Sequence, residues 1–235
     1  MTESKHIIHQ KAVIRMQKGR WWQYEACLRL ADEGCIKTFM HEPKYAPTPE
    51  DKEEYTDAGD LFVPLSPDPP AMVEIKSFDR IFPEDPEMFT ELTNLVMGPV
   101  PVMNRHFERG EYPDFIIFVS RHLNNHGYYE MYWCDFKEVW ESRLLPAGHP
   151  ERVMYIREVS NKYQYTVSMR AVKPFYQLVE RLRELQSVQL RGEIARNKEE
   201  VLNRILKERD EHYSSWKGKH PSRADRKSNL TSQRA

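Results

Sequence analysis

Cysteine is scarce in this chain, with three residues (Cys27, Cys35 and Cys134) among 235. They lack the paired spacing of a zinc site, and an odd count argues against a disulfide framework. A reducing, intracellular setting is therefore expected. Long apolar runs are lacking too. The opening MTESKHIIHQKAVIR has no uninterrupted apolar core of signal-peptide length, and no later run approaches a membrane span. These absences lead to the expectation of a cytoplasmic protein with access to DNA and no membrane partner. Nor is there a surplus of charge of one sign. Lys and Arg number 35 against 36 Asp and Glu, a net charge of −1, so the average says nothing about a polyanionic partner. No internal repeat is visible.

What is present is unevenly placed. From Lys217 to Ala235 six basic side chains face one acid, a net +5, which leaves −6 on the other 216 residues. Part of that negative charge lies in EDKEEYTDAGD, inside a Pro-rich and acidic stretch that reads as a long exposed loop. Before it, GRWWQYEACLRLADEGC has helical spacing, with Trp21, Tyr24, Leu28 and Ala31 recurring at three and four and Gly34 as the stop. LFVPL and AMVEI are short β-rich runs joined by the turn SPDPP, and Pro64 predicts that the first is short or at an edge. EDPEMFTELTNLVMG reads as a helix, with Phe89, Leu92, Leu95 and Val96 on one stripe. DFIIFVS is a continuous apolar run, as in a central strand. HGYYEMYWCDF is its expected neighbour, and VMYIREV and YQYTVSM are further candidate strands.

From Lys173 the pattern changes. Leu178, Leu182 and Leu185 recur at near-heptad spacing, and Val201, Leu202, Ile205 and Leu206 repeat the theme, with Gly192 as a possible break. The expected organisation is an α/β domain over 1–172, a helical arm over 173–216 and a disordered basic tail over 217–235. The arm has two readings of equal weight, packing on its own domain or forming a homodimer through those leucines.

The chemistry rests on an acid–x–lysine pair. That pattern occurs six times, at Glu3–Lys5, Glu42–Lys44, Glu50–Lys52, Glu74–Lys76, Asp135–Lys137 and Asp225–Lys227, so context must choose. Four of these lie in polar, turn-like or tail sequence and read as solvated charges. Glu74 and Lys76 sit in AMVEIKS, where period-two alternation puts both on one face of a strand and Ile75 on the other. A hairpin would bring the Asp60 carboxylate beside that of Glu74. Two carboxylates and the Ile75 main-chain carbonyl make a hard-oxygen set suited to Mg²⁺ completed by water. Lys76 offsets their charge and can hold a water or a phosphate oxygen.

On these residues the chain resembles the PD-(D/E)xK nuclease superfamily. The matched order is a helix glutamate (Glu25 in WWQYEACLRL), Asp60 in AGDLFV, Glu74 and Lys76 in VEIKS, a helix, then the apolar strand DFIIFVS. It covers roughly Gly19 to Ser120, and Gly59 stands where proline is common in the family. The resemblance implies a restriction-endonuclease-like fold, a mixed central sheet flanked by helices. It implies metal binding by Asp60, Glu74 and Ile75, water orientation by Lys76, and completion of the site by Glu25. The implied activity is Mg²⁺-dependent hydrolysis of phosphodiester bonds, with Mn²⁺ as a substitute. DNA is the expected partner, and a structure-selective or repair endonuclease is preferred over a restriction enzyme or an exonuclease. Arg121, Lys217, Lys219, Arg223, Arg226 and Lys227 are the expected nucleic-acid contacts, the last five adding salt-dependent affinity.

A rival frame lies in the same chain. YPDFIIFVS followed by YWCDFKEVW offers Asp114, Asp135 and Lys137, with Glu91 on the preceding helix. There the bland reading is strong, because Asp135 at a strand-to-helix junction is an ordinary helix N-cap and Lys137 a first-turn surface residue. Bland readings also stand for Trp21 and Trp22 as packing residues, for His122 as structural and for the cysteines as buried fillers. The alternative of a different class is a non-catalytic nucleic-acid-binding or assembly protein that keeps the nuclease fold.

Overall fold

The computed structural model describes residues 19–37, 59–67, 69–78, 94–123, 129–159 and 161–217. The first helix, α1, runs over 19–32. Then follow β1 (Leu61–Val63), β2 (Ala71–Phe78), β3 (Asn94–Pro99), α2 (Val100–Glu108), β4 (Phe115–Leu123), β5 (Tyr129–Asp135) and α3 (Phe136–Ser142). The chain closes with the β6–β7 hairpin (Met154–Val159, Lys162–Ser168), β8 (Lys173–Pro174), α4 (Phe175–Leu185) and α5 (Val188–Lys217). The class is α/β.

Two sheets form. The larger has the order β1-β2-β4-β5-β8 and is mixed, because β2 and β4 run parallel while its other neighbours are antiparallel. The smaller, β3-β7-β6, is antiparallel throughout. β4 is buried on both faces, as its unbroken apolar run predicts. Phe115, Ile117 and Val119 enter one core cluster, and Ile116 and Phe118 enter the other. The first cluster lies under α1, α4 and α5, and the second joins the back of the sheet to α2, α3 and the small sheet. Pro64 has its expected consequence, since β1 is three residues long and lies at the edge.

Helix α1 buries Tyr24, Cys27, Leu30 and Ala31, one stripe at helical spacing. It stops at Gly34, whose φ of +69° is the left-handed conformation that glycine adopts without steric cost. The Cys35 N–H reaches the Leu30 carbonyl at 2.8 Å, and the Gly34 N–H reaches that of Ala31 at 2.9 Å. This pair of bonds satisfies carbonyls the helix end would otherwise orphan.

Two expectations change, and one of the two readings of the C-terminal arm is observed. The segment read as one helix ends as strand, because Asn94–Pro99 pairs with β7 and places Leu95 opposite Val167. Leu95 and Met97 are buried while Val96 is half exposed, the alternation of a strand. Gly192 does not break the C-terminal helix. The chain turns instead at Gln186, which is extended, and Ser187 restarts it by accepting the Leu190 N–H through its hydroxyl at 3.2 Å. Finally, Leu178 and Leu182 are fully buried, and with Val201 and Ile205 they share one cluster with α1, β1 and β2. The arm packs into the core of its own chain. The tail beyond 217 and the acidic stretch 50–57 lie outside the described residues.

Candidate active site

The β1–β2 ladder ends where Leu61 faces Val73. Asp60 extends it by one step, donating its N–H to the Val73 carbonyl at 2.8 Å. Beyond that point, among the described residues, β2 has no strand beside it on this edge, and the Ile75 N–H would lack a ladder acceptor. The Asp60 carboxylate supplies one, with Oδ2 at 2.7 Å from the Ile75 nitrogen. A strand residue directs its N–H and C=O to the same side. The Ile75 carbonyl therefore opens toward the edge that Asp60 occupies. Gly59 lies close against Met72, whose side chain an added β-carbon would displace.

Glu74 and Lys76 alternate with Val73 and Ile75, which are buried in the first cluster. Both side chains therefore stand on the opposite face, toward α2 and the small sheet. Lys76 Nζ donates to Glu74 Oε1, an ion pair whose side chains are 35% and 18% exposed. Burial works against the Lys76 ammonium, but the charges of Glu74 and Asp60 and the hydrogen bond to Glu74 outweigh it. Its pKa is raised. Lys76 thus remains a cationic donor, bound electrostatically to both carboxylates.

The helix expected to contribute Glu25 contributes Gln23 instead. Gln23 Nε2 donates to Asp60 Oδ1 at 2.5 Å. Two residues on, about 200° further round the helix, Glu25 Oε1 accepts from Arg209 Nη1 of α5 at 3.0 Å. Burial raises the Glu25 pKa more than Arg209 lowers it. Glu25 therefore ties α1 to α5, and Asp60 finds its helix partner two residues earlier, on nearly the opposite face. An amide carries no charge pattern, so a search for acids passes over Gln23.

The rival frame is built into the scaffold. Asp114 exchanges hydrogen bonds with the Met72 backbone, its N–H to the carbonyl and its Oδ2 from the N–H, both at 2.7 Å. Its own carbonyl accepts from the Phe136 N–H at 2.9 Å. Asp135 caps α3, with Oδ1 accepting the Glu138 N–H at 2.9 Å. Lys137 is 70% exposed beside Glu141. Glu91 lies outside the described residues.

Of the expected nucleic-acid contacts, Arg121 lies in β4 and Lys217 ends α5, but their side chains, like that of His122, are outside the described residues. Lys219, Arg223, Arg226 and Lys227 are outside them entirely. Trp21 packs on Tyr213 with ring centroids 5.3 Å apart, the Arg209 guanidinium lies over the Trp21 ring at 5.0 Å, and Trp22 meets Tyr129 edge-on. The three cysteines are buried and free. Burial pushes all three thiols up, Cys35 to about 11.

Asp60, Glu74 and the Ile75 carbonyl suit a hard divalent cation by donor chemistry. Among the described residues no group of three or more His, Cys, Asp or Glu is assembled for a metal, so water would have to complete the coordination. Among the described residues no helix is long and apolar enough to cross a membrane. The chain matches no family model, no curated protein and no solved structure.

Proposed function

We propose that the chain is a divalent-metal-dependent nuclease of the PD-(D/E)xK kind, hydrolysing phosphodiester bonds in nucleic acid, DNA foremost. The observation that carries this reading is the clasp of Asp60 on the Ile75 N–H. It sets one carboxylate at the sheet edge toward which the Ile75 carbonyl opens, within the electrostatic reach of Lys76. Asp60, Glu74 and the Ile75 carbonyl are the groups that would hold Mg²⁺ or Mn²⁺. Such an ion would supply Lewis-acid stabilisation of the negative charge that develops on the phosphoryl and leaving oxygens. Lys76 holds the attacking water or a phosphate oxygen, and the two carboxylates keep its ammonium protonated for that task. Gln23 positions Asp60 through its amide. A repair-type or structure-selective endonuclease is preferred within the class. A homodimer through the C-terminal helices would use outward positions such as Leu206 and Tyr213, which are exposed, rather than the buried leucines.

One observation favours a second reading. Both carboxylates are already satisfied inside the chain, Asp60 by Ile75 and Gln23 and Glu74 by Lys76. A non-catalytic nucleic-acid-binding protein would keep this self-contained arrangement. Metal titration followed by thermal melting separates the two. A nuclease gains stability with Mg²⁺, Mn²⁺ or Ca²⁺ and loses the gain in Asp60→Ala and Glu74→Ala. A flat response in the unaltered protein favours the binding module.

A further inference from the structure

On the face of β2 that carries Glu74 and Lys76, a cavity of about 110 Å³ opens against α2. Glu74 and Lys76 form part of its wall, so it is continuous with the candidate site. The rest of the wall is of another character, with Met97, Met103, Tyr112 and Phe136 supplying thioethers and aromatic rings. Thioethers adapt to flat π systems and contact them favourably. A closed cavity of roughly 150 Å³ accepts benzene; this one is smaller but open at its mouth, so it admits the inserted edge of a single planar ring and excludes a duplex.

Two details indicate that the shape is built. The β3 ladder slips between Val96 and Gly98, a bulge at Met97, and bulges re-aim side chains beside functional sites. At Gly98 an added β-carbon would come within 3.3 Å of Met103 Cγ and Sδ, so glycine lets that thioether lie against the strand. The polar rim is equally specific. His106 Nδ1 lies 3.1 Å from the Glu111 main-chain carbonyl. A carbonyl only accepts, so Nδ1 carries the proton in that bond and Nε2 is the nitrogen left to hydrogen-bond a ligand.

We propose that this cavity receives one unpaired nucleobase of the substrate, beside the phosphate held at Lys76, with His106 reading the polar edge of the base. The substrate class is then nucleic acid with an unstacked nucleotide at the cleavage position. The inference rests on the nuclease reading for the place of the phosphate.

The test uses the full chain and two duplexes of one sequence, fully paired or carrying a single unpaired 2-aminopurine. Binding is read by fluorescence in EDTA, cleavage with Mg²⁺. The unaltered protein should bind the unpaired duplex at least about fivefold more tightly, in line with the strength of base–aromatic contacts. Val102→Phe, which fills the cavity from α2, and His106→Ala should each abolish that preference. If Val102→Phe does not fold, His106→Ala carries the comparison. Equal binding of both duplexes by the unaltered protein, no binding of either, or a preference that survives the substitutions, overturns the proposal. Preference without cleavage of either duplex sinks the nuclease reading and leaves the cavity assignment standing. Equal binding with cleavage of both does the reverse.

Discussion

The Asp60 carboxylate takes the place of a ladder acceptor at the edge of the main sheet, accepting the Ile75 N–H at 2.7 Å while its other oxygen holds the Gln23 amide at 2.5 Å. One side chain thereby joins α1 to the hairpin and sets the geometry of the proposed metal edge.

Removing that side chain should cost stability as well as activity. Asp60→Ala leaves the Ile75 N–H and the Gln23 amide without their acceptor, a loss of about 1–3 kcal/mol. Asp60→Asn keeps one carbonyl acceptor and should lose less stability, while losing metal-dependent activity as fully. Urea denaturation of the three proteins checks this, and an unchanged midpoint for Asp60→Ala would contradict the clasp.

Lys76 makes a prediction about pH. Burial lowers its affinity for a proton, but Glu74 and Asp60 raise it further, so its folded pKa exceeds the ordinary lysine value of 10.5. A lysine raised in the folded state stabilises the fold below its unfolded value and loses that contribution as pH climbs through the folded one. The stability difference between the unaltered protein and Lys76→Met should therefore be flat between about pH 6 and pH 9. It should shrink only above 10.5. A difference that declines between those two neutral-range pH values would show that the carboxylates do not hold the ammonium.

Glu25 and Gln23 should separate by phenotype. The folded Glu25 carboxyl is raised above its ordinary 4.5, chiefly by burial. The folded state then binds the proton more tightly, so this group's contribution to stability falls as pH rises from 4.5 through the folded value. Glu25→Gln should abolish that dependence in denaturation curves. Gln23→Ala should reduce metal-dependent cleavage more than Glu25→Gln does. The opposite order would return the helix contribution to Glu25.

Much of this site was legible in the sequence, and the gaps have physical causes. Pro64 marked a short edge strand, the alternation in AMVEIKS put Glu74 and Lys76 on one face, and the run DFIIFVS marked the strand buried on both sides. Each of these signals is local. Gln23 was not legible, because what selects it is the angle at which α1 crosses the hairpin. Leu95 and Val96 fit a helical stripe and a strand equally well in so short a window, and only pairing with β7 decides between them. Gly192 weakens a helix without ending it when Ile194, Val201 and Ile205 are buried on the same element. At the other acid–x–lysine pair, Asp135 caps α3, as its place at the strand-to-helix junction suggests.

That second pair should behave as scaffold. Asp135→Ala removes the α3 cap and should cost about 0.5–2 kcal/mol. Lys137→Ala, on an exposed turn, should stay within about 0.5 kcal/mol. Neither should alter metal-dependent cleavage. Loss of cleavage in a folded Asp135→Ala or Lys137→Ala protein would move the reaction to the rival frame.

The most direct measurement is Mg²⁺-dependent cleavage of a substrate panel (duplex, single strand, flap, four-way junction and RNA) by the unaltered protein and by Lys76→Ala. The account predicts that at least one substrate is cut by the unaltered protein and that the substitution abolishes the cut while the protein remains folded. Cleavage of equal rate by both proteins, or none on any substrate, would contradict it.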